Sequence, residues 1–311
     1  MAEESQPREG AQDEGPASAG TTGPHTVVPT LAHLVQKTAR RFESAGIGDA
    51  RLEADLIWTT ALGIDRAALY SAFRDTPPDD AVRRAEALCE RRLNREPVAY
   101  LMGTREFYGL PIAVGPGVLI PRPETETVVE ETLRLVEGVA SPVLADVGCG
   151  SGAIAVALAV ARPEAIVYAL DVAARALELT GHNAASHGVS DRLHVLESDL
   201  LAALPRPVHA VAANLPYVMS DEIPLLEPEV SRYEPREALD GGVDGLALIR
   251  RLLAEAGGRL LPGGALVLEM APRQIAAASD AAAACFPEAV VHAARDLSGR
   301  ERVLVVQAER R

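Results

Sequence analysis

The residues best able to do chemistry lie in three short clusters. The first is Gly148-Cys149-Gly150-Ser151-Gly152, which follows the apolar run Val143–Val147 and leads into the small-residue stretch from Ala153 to Val160. Glycines at a strand-to-helix turn let the backbone approach a ligand closely, and the free N–H groups of a helix start attract an anion. Such a loop can cradle a pyrophosphate or an amino-acid carboxylate. The second cluster is a pair of acids. Asp171 ends the next apolar run, where a carboxylate can accept hydrogen bonds from both hydroxyls of a ribose. Asp199 follows a third run, at the place an adenine edge would take. These features fit a nucleoside-bearing cofactor, and suit NAD as well as S-adenosylmethionine. Cys149 has no histidine coupled to it in the pattern, so a packing role is expected for its thiol.

The third cluster is Asn214-Leu215-Pro216-Tyr217, directly after the short apolar run Ala210–Ala213. In an open α/β sheet, ligands bind beyond the carboxyl ends of the strands, so this tetrapeptide is placed to meet whatever the cofactor attacks. A planar amide nitrogen is a poor nucleophile because its lone pair is delocalised. The Asn214 side-chain oxygen and the Leu215 carbonyl can accept its two N–H protons and aim it. Tyr217 can pack on the amide plane, and Pro216 stiffens the turn. Positioning then supplies the rate, with no strong base needed before transfer. An exocyclic amine on a base would fit the same acceptors.

Elements must hold these clusters in place. Strands are expected at Val143–Val147, Ile166–Asp171, Leu193–Glu197, Ala210–Ala213, Ala265–Met270 and Arg302–Gln307, separated by helical stretches. That alternation implies an α/β fold with a mostly parallel, Rossmann-like sheet covered on both faces, the last strands allowing an antiparallel edge. Upstream, Leu31, Leu34, Val35 and Thr38 fall at helical spacing with Thr30 placed to cap. Ala50 to Gly63 and Asp79 to Arg95 are also helical in pattern, punctuated by Thr76-Pro77-Pro78-Asp79. Between these regions, Phe107, Tyr108, Leu110, Ile112 and Val114 are strand-like, with turns marked at Gly109, Gly115 and Gly117, which predicts a short hairpin. The expected division is a disordered tail over 1–29, a helical domain over 30–96, a hairpin linker over 97–123 and a catalytic domain over 124–311.

Composition narrows the partners. The 311 residues are 48% hydrophobic but only 4% aromatic, so a core of Ala, Leu and Val is implied. No run of roughly 18 uninterrupted apolar residues appears, and the N-terminus lacks a basic, apolar signal pattern. A soluble, cytoplasmic protein without membrane contact is expected. Cys89, Cys149 and Cys285 are too far apart to form a metal-ligand cluster, so no metal is expected. The net charge is −14, whereas nucleic-acid binders gain most affinity from cationic contacts with phosphates. Direct nucleic-acid binding is therefore not expected.

With these residues in view, the chain resembles the bacterial release-factor glutamine methyltransferases, the HemK/PrmC family, from about Leu31 to Gln307. The most specific part is Glu96 to Glu126, EPVAYLMGTREFYGLPIAVGPGVLIPRPETE, followed by DVGCGSGAIAVALA, EPEVSRYEPREALDGGVDGL and GRERVLVV. The resemblance implies N5-methylation of the glutamine in a Gly-Gly-Gln loop of peptide chain release factors, with S-adenosylmethionine as cofactor. It implies that Gly148 to Gly152 and Asp171 hold that cofactor, and that Leu200 stands where the family often has an aromatic residue beside the adenine. Asn214 would bind both cofactor and substrate amide, and Leu215, Pro216 and Tyr217 would complete the acceptor pocket. The helical domain would help recognise the protein substrate.

Two positions depart from the pattern. Leu215 replaces the first proline of the usual Asn-Pro-Pro-Tyr, keeping the carbonyl but losing one fixed φ angle. Leu200 replaces stacking by apolar contact. Asn-Leu-Pro-Tyr is also similar to the acceptor motif of rRNA adenine dimethyltransferases. The competing readings are thus a nucleic-acid adenine N6-methyltransferase and a glutamine methyltransferase acting on another protein. A dehydrogenase would use the glycine loop and Asp171 but leave Asn214–Tyr217 without a role, and a non-enzymatic interaction protein would leave both without one.

Overall fold

The computed structural model describes residues 29–309. The tail expected over 1–29 therefore lies, apart from its last residue, outside the described residues. Helix α1 (Leu31–Ser44) starts where the capping pattern places it: Thr30 Oγ1 accepts the His33 N–H at 3.4 Å. It packs on α2 (Ala50–Leu62), α3 (Arg66–Ser71) and α4 (Asp79–Leu93) around Phe42, Ile57, Trp58 and Leu69. Trp58 Nε1 donates to Thr38 Oγ1 at 3.1 Å, which satisfies the indole N–H inside that core. Pro78 ends the connection and caps α4, whose first turn carries Asp79 and Asp80 and whose last turn carries Arg91 and Arg92, all matched to the helix dipole.

The stretch expected to be linker opens with one more helix, α5 (Val98–Met102). Its Leu101 joins the helical core while Ala99 and Tyr100 join the core of the larger region. The hairpin follows as β1 (Thr104–Phe107) and β2 (Leu110–Ala113). Tyr108 and Gly109 both have positive φ (53° and 72°), so the expected strand residue Tyr108 instead forms the two-residue turn.

The remaining elements are α6 (Glu126–Leu135), β3 (Val143–Val147), α7 (Ala153–Ala161), β4 (Ile166–Asp171), α8 (Ala174–Ser186), β5 (Leu193–Glu197), β6 (Val208–Ala213) and α9 (Pro228–Tyr233). They close with α10 (Ala247–Ala256), β7 (Leu260–Glu269), α11 (Ile275–Cys285), β8 (Val290–Arg295) and β9 (Glu301–Gln307). The sheet order is β5-β4-β3-β6-β7-β9-β8, parallel except that β9 runs antiparallel to both β7 and β8. Strands β3, β4 and β5 have the expected bounds. Strand β8 is absent from the sequence expectation because this edge strand reads VVHAAR, with no period-two alternation of apolar and polar residues. Strand β7 starts earlier than expected, carrying Pro262-Gly263-Gly264 inside it.

Chain direction across the sheet reverses beside β3: one branch runs outward through β4 and β5, the other through β6 and β7. A crevice opens at the carboxyl ends of β3 and β6, the position at which doubly wound sheets bind ligands.

Candidate active site

A cavity of about 480 Å³ occupies that crevice, within the range of sites that hold a cofactor-sized molecule. Its walls include Gly148, Cys149, Gly150 and Ser151 from the β3–α7 turn, Asp171 from β4, Asp199 and Leu200 after β5, and Asn214, Leu215 and Pro216 after β6. Gly117, Val118 and Thr125, from the segment between the hairpin and α6, complete it.

The turn after β3 needs glycine for a stated reason. Gly148 has φ +72°, and a Cβ there would stand 2.9 Å from Leu215 Cδ2. The turn after β3 and the loop after β6 therefore touch at this point, and a side chain would separate them. Gly150 N–H donates to Asp171 Oδ2 at 2.9 Å, and Ala173 N–H to Asp171 Oδ1 at 2.9 Å. Both carboxylate oxygens are thus aimed by backbone donors and retain lone pairs for hydroxyl groups. Gly152 begins α7 without lining the cavity. Cys149 is buried, 3.4 Å from Thr180 Oγ1, and burial pushes its thiol well above the ordinary range, which fits the expected packing role.

Beneath the loop, Asp146 is fully buried. Its Oδ2 accepts the Ala155 N–H at 3.0 Å, and its Oδ1 has no hydrogen-bond partner among the described residues. Burial raises its pKa to about 7. At the far wall Leu200 has φ +48° and is buried, held by a hydrogen bond from Ser198 Oγ to its carbonyl at 2.8 Å. Asp199 reaches the rim, where Arg251 Nη2 approaches its Oδ2 at 2.9 Å.

Asn214 Nδ2 donates to Thr125 Oγ1 at 3.0 Å, and no described residue bonds its Oδ1. Tyr217 is the one member of its tetrapeptide outside the cavity lining. Its hydroxyl points inward and donates to Glu269 Oε1 at 3.1 Å. The Tyr217 hydroxyl is raised in pKa by burial and stays protonated. Its carbonyl accepts Gln274 Nε2 at 2.8 Å, and Val218 pairs with Asp240. Gly245, at φ +73°, lies so close that a Cβ would be 2.2 Å from the Tyr217 carbonyl oxygen. The Asp240–Gly245 turn is therefore the mould against which the loop after β6 is set.

Several residues of the site were not singled out in the sequence. Thr125 lay inside the quoted Glu96–Glu126 segment but carried no pattern of its own. Glu269 lay within the expected strand Ala265–Met270, and Gln274 in the stretch between that strand and the last one. Glu234 is buried and holds the cavity wall, accepting the Ile120 N–H at 3.3 Å and pairing with Arg122.

Comparison with known proteins fits this arrangement. The model of the PrmC N-terminal domain matches residues 33–103, and that of the methyltransferase small domain matches 130–224. A release factor glutamine methyltransferase of Rhodopirellula baltica is 36% identical over 89% of this chain and 96% of its own length. One of Burkholderia pseudomallei is 44% identical over 73% of this chain and 81% of its own length. Among solved structures, a release-factor-specific protein-(glutamine-N5) methyltransferase of Alicyclobacillus acidocaldarius is 30% identical, with a TM-score of 0.40 over 63% of this chain and 98% of that one. The mostly parallel sheet with its small N-terminal helical region is accordingly the expected methyltransferase fold. The chain belongs to the release factor glutamine methyltransferase family.

Proposed function

We propose that this protein methylates the side-chain amide nitrogen (N5) of the glutamine in the Gly-Gly-Gln loop of peptide chain release factors, with S-adenosylmethionine as donor. The observation that carries the reading is Asn214. It lines the cavity with its Nδ2 engaged by Thr125, so Oδ1 is the atom left to accept a hydrogen bond. The Leu215 carbonyl is the second acceptor. Two acceptors beside one another suit an NH₂ group on a planar centre.

The residues present fit the cofactor. Gly148 keeps the loop close, as a Cβ there would close the space toward Leu215. Asp171, aimed by two backbone N–H groups, suits a ribose diol, and Leu200 with Ala176 offers an apolar wall for a base. When bound, the cofactor supplies an electrophilic methyl group on a sulfonium. Asn214 and Leu215 orient the glutamine nitrogen, and Pro216 and the Asp240–Gly245 turn keep them rigid. The rate then comes from holding nucleophile and methyl in line, and the methylated amide sheds its extra proton without a strong base. Tyr217 acts from behind the loop, through Glu269.

In the same reading the helical region over 30–96 recognises the protein substrate, with the hairpin segment setting its angle to the catalytic region. Arg92 and Arg95 of the helical region pair with Glu229 of α9 at 2.8 Å each, and the Tyr233 hydroxyl donates to the Asn94 carbonyl at 2.7 Å. These contacts support a fixed angle. Among the described residues no helix is long and apolar enough to cross a membrane.

Transfer of labelled methyl groups to purified release factor, and in parallel to RNA and DNA, tests the reading. Label that is protease-sensitive and nuclease-resistant is expected. Label that enters nucleic acid instead would assign the site to an adenine amine.

A further inference from the structure

Apolar side chains that face water are ordinary when they stand singly and informative when they gather on one face. Among the described residues the most exposed large apolar side chains are Val243 at 92%, Leu297 at 86% and Leu225 at 82%. All three lie on loops at the carboxyl edge of the sheet, the edge at which the crevice opens. Leu225 ends the short helical turn Ile223–Leu225 that follows Asn214–Tyr217, and Val243 stands in the Asp240–Gly245 turn. Leu297 stands between β8 and β9. Because β9 runs antiparallel to β7, its start meets the end of β7, where the Met270 N–H donates to the Arg302 carbonyl at 2.9 Å. None of the three lines the cavity, so a molecule filling it leaves them uncovered.

Each is displayed on a hydrogen-bonded turn. Asp296 Oδ1 accepts the Ser298 and Arg300 N–H groups, both at 2.9 Å, and so fixes the turn that carries Leu297. On either side of Val243, Asp240 Oδ1 accepts the Gly242 N–H at 3.0 Å and Asp244 Oδ1 accepts the Leu246 N–H at 3.1 Å. Ile223 is buried while Leu225, two residues on, faces out, and Arg273 pairs with Glu222 to tie this turn to the segment after β7. Side chains on ordered turns lose little freedom when covered, which suits them to binding. A glutamine side chain is short, so setting its amide beside Asn214 brings the protein that bears it down onto these loops.

We propose that Leu225, Val243 and Leu297 form an apolar docking face for the folded protein substrate. The release factor meets it with apolar side chains that flank the Gly-Gly-Gln loop. These residues set affinity for the protein and take no part in the chemistry at the amide. The inference rests on the proposed function and names the surface beside the cavity that the substrate covers.

The test compares Leu225→Ser, Val243→Ser and Leu297→Ser with Val290→Ser, whose side chain is 64% exposed but starts β8 at the opposite edge of the sheet. Each of the first three should raise KM for folded release factor roughly 3- to 30-fold, as loss of a covered apolar side chain does. Because the lost contact is made equally before and during transfer, kcat at saturating release factor should stay within about threefold. Val290→Ser should leave KM in place, and melting temperatures should hold for all four, since each side chain is exposed. A KM unmoved by the three, or moved as much by Val290→Ser, would overturn the inference. Sedimentation should show the unmodified protein as a monomer; a dimer that Leu225→Ser dissociates would assign the face to a second copy of this chain and overturn it too.

A binding arm separates this inference from the function it rests on. Release factor is immobilised and its Kd for each variant measured without cofactor. Binding weakened by the three variants, with no methyl transferred by the unmodified protein, would uphold the docking face and count against the proposed function. Methyl transfer with unweakened binding would overturn the docking face alone.

Discussion

Asn214 and Thr125 are 89 residues apart in sequence, and the Asn214 Nδ2 to Thr125 Oγ1 hydrogen bond joins them at 3.0 Å. One residue follows β6, at the carboxyl edge of the sheet; the other sits at the turn into α6, after the segment that links the two regions. The bond therefore makes the acceptor loop depend on how that linking segment is seated. Glu234 seats it, through Arg122 and the Ile120 N–H. The acceptor geometry is a property of both segments together.

Removing the acceptor tests this most simply. Asn214→Ala should lower kcat for methylation by roughly 100- to 1,000-fold, as loss of one preorganised polar group at a reacting centre commonly does. Thermal melting should move little, because Asn214 is only partly buried. Initial rates at saturating cofactor and release factor measure the effect.

Asp171→Ala should act on the cofactor instead. Loss of charge-assisted hydrogen bonds should weaken S-adenosylmethionine binding by about 1.5–3 kcal/mol, roughly 10- to 100-fold in Kd. Calorimetry reads the change directly, and the rate should partly recover at high cofactor concentration.

Leu215 invites the opposite experiment. It is 4% exposed, and its Cδ2 stands where a side chain at position 148 would have to go. Leu215→Pro should retain methyl transfer within about fivefold, since the carbonyl stays and the φ angle is fixed, but lose about 1–3 kcal/mol of stability with the buried side chain. Denaturant unfolding beside a rate assay separates the two.

Asp146 gives a pH signature. Its pKa in the folded chain is about 7, against 3.8 for an ordinary aspartate, with burial the main cause. The folded state then binds the proton more tightly than the unfolded one, so stability falls as pH rises between about 4 and 7 and levels off above that. Asp146→Asn should flatten this part of the curve and melt higher than the unmodified protein at pH near 8. Melting temperatures across pH would show it; parallel curves for the two proteins would contradict it.

Gly245→Ala tests the mould behind the acceptor loop. With φ +73° and a Cβ 2.2 Å from the Tyr217 carbonyl oxygen, the substitution should displace the loop and lower both the melting temperature and kcat. Alanine at Gly257, where a Cβ meets nothing within 4 Å, serves as the control.

Much of this was legible in the sequence because the signals were local. The glycine turn after Val143–Val147, the acid ending Ile166–Asp171 and the tetrapeptide after β6 are each read from neighbours in the chain, and the parallel sheet follows from their alternation. What stayed hidden is long-range. Nothing beside Glu269 in sequence shows that it meets Tyr217, and nothing near Thr125 shows that it meets Asn214. The inward turn of Tyr217 was illegible for the same reason: its partner is 52 residues away. Strand β8 was missed because its residues, VVHAAR, lack the alternation that marks a strand.

The central claim, transfer to a glutamine amide, is tested most directly by fragment mass spectrometry. Purified release factor, incubated with this protein and S-adenosylmethionine, is digested, and the peptide bearing Gly-Gly-Gln is sequenced in the gas phase. The account predicts a gain of one CH₂ placed on the glutamine side chain, and none with Asn214→Ala. An unmodified glutamine in intact, folded release factor, or the CH₂ on another residue, would contradict it.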